Sequence, residues 1–171
     1  MATTFTKIAA VTVGAGGAAS IDFTSIPGTY TDLVIKISLR AETVGIDAAK
    51  LTFNGSSSGY SYRSLWSSGS GTPQSFNGST DGYFQLQYSG GTSSTASTFT
   101  SGEVYVPNYA GSNNKSASLD QVQENNATTA YIVPMALLWA NSSAITSIKI
   151  QQTTGNIAQY STATLYGINK S

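Results

Sequence analysis

The chain has 171 residues, a mass of 17.7 kDa, no cysteine and no histidine. Those two absences exclude Ser-His-Asp and thiol chemistry, Cys/His zinc sites and disulfide frameworks. Charged residues make up 9% of the chain and eight bases balance eight acids, so the basic footprint that nucleic acid or an anionic membrane surface demands is missing.

Ser, Thr, Ala and Gly fill 84 of the 171 positions, yet 40% of the chain is hydrophobic, which argues against disorder. Val, Ile and Thr supply 42 positions, and ten Tyr and six Phe add to them. β-branched and aromatic side chains fit the pleated surface of a sheet, so the composition reads as all-β.

Residues 7–13 (KIAAVTV) read as a first strand closed by Gly14-Ala15-Gly16-Gly17. The same stretch loosely imitates a secretory leader, but Lys7 is its one charge and Thr12 interrupts the apolar run, so the strand is preferred. Residues 18–23 form a second short strand before the Pro27-Gly28 turn. Residues 32–40 (DLVIKISLR) alternate most clearly, with Leu33, Ile35, Ile37 and Leu39 on one face. Residues 50–54 run into Asn54-Gly55, a hairpin-type turn, and residues 60–66 (YSYRSLW) are aromatic and alternating.

Residues 67–82 are turn formers without periodicity and read as a surface loop. Residues 83–88 form a strand, residues 89–97 a second Gly/Ser/Thr loop, and residues 99–106 a strand ended by Pro107-Asn108. Strands follow at 116–123, 129–140, 145–152 and 162–168. In 129–140 (TAYIVPMALLWA), Tyr131, Val133, Met135, Leu137 and Trp139 share one face, while Pro134 argues against a central strand or marks a bulge. About ten short antiparallel strands, with no helical stretch of any length, indicate a single-domain β-sandwich, with a jelly roll as the expected form. Its core is expected to hold Leu33, Ile35, Ile37, Leu39, Val133, Leu137 and Trp139. No apolar run is long enough to span a membrane.

Each motif has a plain structural reading. VTVGAGGAA matches strand-then-GxGxxA, but Pro27-Gly28 and many β-branched residues occupy the place of the helix that a dinucleotide needs, leaving a glycine turn. The acids nearest in sequence, Asp120 and Glu124, share a strand face and read as a solvated surface; no DxDxDG loop suggests calcium. Asn-x-Ser/Thr sequons, among them those that begin at Asn54, Asn77, Asn126 and Asn141, are expected by chance in so Ser/Thr-rich a chain and carry no information on secretion. No catalytic residue, cofactor or metal ligand is assigned. Tyr60, Tyr62, Trp66 and Tyr83, with Tyr88, flank the long polar loop and admit two readings. They form a glycan or partner contact in which sugar faces stack on rings, or they are core rings and strand-surface tyrosines.

Several segments in order, FTKIAAVTVGAGGAASIDFTSIPGTYTDLVIKISLR, LTFNGSSSGYSYR, VYVPNYAGSNNKS, ENNATTAY and STATLYGI, are similar to a group of small bacteriophage structural proteins. The resemblance spans nearly the whole chain, and its first and last segments are the most specific. It implies a virion surface component of β-sandwich or jelly-roll fold, made in the host cytoplasm. The implied role is a capsid decoration (cement) protein, a homotrimer bound to the major capsid protein or another virion protein. A tail-fibre tip that binds a host glycan is the alternative. A chain from Met1 to just past a final strand shows no adaptor or repetitive stem, which favours decoration. No catalytic motif comes with the resemblance, and no functional residue is carried over by it.

Overall fold

The computed structural model describes residues 4–69, 71–126 and 130–169. Residue 70 of the expected loop, Thr129 at the start of an expected strand and Met1 to Thr3 lie outside them. The described residues form twelve strands and no helix. In chain order these are β1 (Phe5–Thr12), β2 (Ile21–Phe23), β3 (Asp32–Leu39), β4 (Asp47–Phe53), β5 (Tyr60–Trp66) and β6 (Gln74–Asp81). They continue as β7 (Phe84–Ser89), β8 (Thr100–Pro107), β9 (Lys115–Gln123), β10 (Tyr131–Trp139), β11 (Ile148–Gln152) and β12 (Thr162–Ile168).

All the strand ladders are antiparallel. They build an eight-stranded sheet in the order β1-β12-β3-β8-β9-β10-β5-β6 and a four-stranded sheet in the order β2-β11-β4-β7. The two sheets pack as a β-sandwich. Eight strands against four, in this order, do not establish the jelly-roll form.

Period-two alternation sends one face of each central strand inward. Leu33, Ile35, Ile37 and Leu39 of β3 are buried, as are Val133, Met135, Leu137 and Trp139 of β10. They meet Ile21 and Phe23, Leu51 and Phe53, Phe84 and Leu86, and Ile148 and Ile150 from the smaller sheet in one core. Every residue expected in the core is there.

The expected loop at 67–82 is corrected: β6 occupies its second half, paired with β5 from Trp66–Gln74 to Tyr60–Asp81. Its sequence, QSFNGSTD, has one large apolar residue because β6 is the last strand of its sheet and the smaller sheet does not reach over it. Phe76 therefore remains 43% exposed although its ring lies 5.9 Å from that of Tyr62. The second loop holds. Its shape is set by Arg40, whose guanidinium donates to the carbonyls of Ser94 (3.1 Å), Thr95 (2.9 Å) and Thr98 (2.8 Å). Gly91 at its start cannot carry a side chain, since a Cβ there would lie 1.8 Å from the Gly45 carbonyl oxygen.

The proline expectation is also corrected. β10 is central, between β9 and β5, and Pro134 pairs with Asp120 of β9 in an unbroken register. On the other side the β10–β5 ladder runs from Trp139–Tyr60 to Met135–Ser64, and resumes only at the Ile132–Ser67 bridge. In that register Pro134 faces Leu65 and has no N–H to give it. The proline is accommodated by a gap in one ladder, without a bulge.

Buried polar side chains gather at one end of the interior. Gln121, Gln123 and Gln152 are each no more than 3% exposed. Thr100 Oγ1 donates to the Tyr88 carbonyl (2.9 Å), and Gln152 Nε2 to Ser89 Oγ (3.4 Å). Neither amide atom of Gln123 has a partner among the described residues. Lys115, 1% exposed, is the one buried cation among them, and its ammonium donates to the carbonyls of Gly111 (2.7 Å) and Asn113. Burial lowers its pKa below the ordinary lysine value.

Candidate functional site

The aromatic residues singled out in the sequence do not share one surface. Tyr60 is fully buried, its ring stacked on Trp139 and edge-on to Phe84 at 4.9 Å. Its hydroxyl accepts from the Phe53 N–H (2.8 Å) and lies 3.2 Å from the Phe53 carbonyl, to which it donates. Burial raises its pKa, against the smaller lowering effect of the Phe53 bond. Tyr62 is 4% exposed, and its hydroxyl donates to Gln85 Oε1. As a surface contact, these two residues are corrected: they are core rings.

Trp66 and Tyr83 are half-buried. Trp66 packs at 5.8 Å against both Tyr88 and Tyr131, which stack on each other with centroids 3.9 Å apart. Those ring faces are used within the chain. Tyr83 lies beneath the Lys50 ammonium, 4.9 Å from the ring centroid.

The glycine motif after β1 is a turn. Gly16 and Gly17 have positive φ, and the chain enters a bridge at Ala18 with no helix following. Asp120 and Glu124 both lie exposed on one face, with Glu124 just past β9 accepting from the Asn126 N–H (2.6 Å). Strand register instead sets Glu103 of β8 directly opposite Asp120, a pairing no sequence spacing could show. Glu103 is engaged by Lys36 of β3. Among the described residues no group of three or more possible metal ligands gathers.

The most developed surface is the outer face of the eight-stranded sheet across β5, β10 and β9. The residues that alternate with the core positions of these strands include Leu65 (61% exposed), Ile132 (57%), Val122 (45%) and Leu138 (37%). Ile132 and Val122 are direct cross-strand partners. Beside them a groove of about 530 Å³ follows the interrupted β5–β10 ladder, lined by Arg63, Leu65, Asp120, Pro134 and Ala136 among others. The proline that opens the ladder thus lies in the groove wall.

Arg63 is anchored along this wall, one guanidinium nitrogen donating to the carbonyls of Tyr62 (2.8 Å) and Gly78 (3.2 Å). The outcome is an apolar strip with one cation and one anion set into it. The sequence carried a signal for it: 129–140 is apolar on both faces of its alternation, which a strand with one solvated face does not need. Val122 and Leu65 had no such signal, because register alone brings them alongside.

No family model, curated protein or solved structure matches the chain.

Proposed function

We propose that the chain is a structural protein of a bacteriophage virion, a decoration subunit on the outside of the capsid, without catalytic activity. The observation that carries this reading is the apolar outer face. Leu65, Val122, Ile132 and Leu138 stand open to solvent on three adjacent strands, in a chain with little charge to keep such a face soluble alone. A contiguous apolar strip of this kind is an assembly surface. Sheet strands hold it rigidly, so little conformational entropy is lost when it is covered. Most of its neighbours supply hydroxyls and amides, with Arg63 and Asp120 as the charges set among them, which suits contacts built largely from neutral hydrogen bonds. The resemblance of the chain's segments to small phage structural proteins gives the kind of assembly, and the neutral, histidine- and cysteine-free composition suits a coat exposed to varied conditions.

Quantitative mass spectrometry of purified particles of the encoding phage tests the reading. Copies comparable in number to the major capsid protein are expected. Absence from the particle, or only a few copies on it, overturns decoration.

A further inference from the structure

Among the described residues, the two charges set into the apolar face, Arg63 and Asp120, form no ion pair. Among the described residues, Arg63 has no carboxylate within 4.0 Å, and the Asp120 carboxylate takes part in no ion pair or side-chain hydrogen bond. Their placement is fixed by register. Asp120 lies across from Pro134 on one side of β10, and Arg63 across from Ala136 on the other. Two strand spacings and a two-residue stagger put their Cα atoms about 12 Å apart. The midpoint falls on β10, between Pro134 and Ala136.

We propose that this face is covered by the same face of a second copy of the chain, related by a two-fold axis through that midpoint. The inference rests on reading the face as an assembly surface, and names its occupant. A two-fold axis in the interface plane, perpendicular to the line joining the two charges, lays Arg63 of each copy on Asp120 of the other. Each charge that lacks a counter-ion in one chain gains one from its mate. The same operation carries Leu65 of each copy over the Pro134 region of the other, into the groove. A partner of net acidic or basic character would satisfy one of the two charges and repel the other. A copy satisfies both, and the chain's formal charge of zero raises no repulsion between copies.

The test uses the full-length protein and two exposed-site variants, Arg63→Asp and Asp120→Arg, with circular dichroism to verify their folds. Light scattering and sedimentation should give a two-chain mass for the wild type. Each variant alone places like charges together and should weaken association at least about tenfold. Mixed in equal amounts, the two variants carry complementary faces and should recover the two-chain mass. A wild type that stays monomeric up to about 1 mM overturns the proposal, as do single variants that pair as tightly as wild type. A monomer that is nonetheless abundant on particles overturns the second copy as occupant and leaves the decoration reading standing. A dimer absent from particles does the reverse.

Discussion

Strands β5, β7 and β10 each give one ring to either end of the sandwich, and the two ends differ. Tyr60, Phe84 and Trp139 meet Phe53 in a cluster no more than 1% exposed, with ring centroids 4.9 to 6.4 Å apart. Trp66, Tyr88 and Tyr131, from the other ends of the same strands, stay half-buried. The cause lies in the covering sheet. β4 brings Leu51 and Phe53 to the first end, whereas in its register with β7 it brings Ala49 opposite Leu86 and Asp47 opposite Ser89 toward the second. Small and polar cover leaves room for the glutamines of β9 and incomplete shelter for the rings. Ring chemistry is the same at both ends; what is stacked over it decides whether it stabilises the fold.

The largest effect should come from removing the dry cluster's centre. Trp139→Ala is expected to cost about 3 to 5 kcal/mol in a urea denaturation series, and Trp66→Ala about half as much, since less of its area leaves water. Equal losses would break the contrast.

Alkaline pH sharpens it next. Burial raises the pKa of Tyr60, Tyr88 and Tyr109 above the ordinary value of 10.0. The folded chain then keeps protons that the unfolded chain has lost, so stability should hold below about pH 10 and fall as pH rises beyond it. Lys115 acts in the opposite sense below 10.5, where its lowered pKa makes the unfolded chain the better proton binder, and stability gains slightly as pH climbs. Denaturation midpoints followed between about pH 9 and about pH 11 should therefore drop mainly in the upper part of the range. Tyr60→Phe should blunt that drop more than Tyr88→Phe; the reverse order would place the drier environment at the wrong end.

The smallest expected change is at the polar end. Gln123→Met removes two buried amide atoms that have no partner among the described residues and keeps the volume, so stability should be unchanged or higher by up to about 1 kcal/mol. A clear loss in thermal melts would mean that the amide is satisfied in solution and that this end is as specifically built as the other.

Much of the fold was legible because the signal was local. Alternation in DLVIKISLR placed Leu33, Ile35, Ile37 and Leu39 on the core side of β3, and the same period located Val133, Leu137 and Trp139 despite Pro134. What escaped was set by partners distant in sequence. β6 becomes a strand through β5, not through any pattern of its own, and Gln121 and Gln123 turn inward because they keep step with Leu119. The aromatic residues are divided between core and surface for a related reason. YSYRSLW states that Tyr60, Tyr62 and Trp66 share a face but not which face the second sheet will cover. The apolar strip needed register as well: Leu65, Ile132 and Val122 come from three separate segments, and only the order β9-β10-β5 makes them neighbours.

Arg40 holds the 89–97 loop mainly by its carbonyls. Main-chain oxygens are common to every residue type, so the grip is largely indifferent to which side chains the loop displays. Between Gly91, where a Cβ would strike the Gly45 carbonyl, and the bonded Thr98, two positions carry demands of their own: Ser93 Oγ accepts from the Gly45 N–H (3.1 Å), and Ser97 sits at positive φ. Thr92, Thr95 and Ala96 stand exposed on a path that their own side chains do little to set.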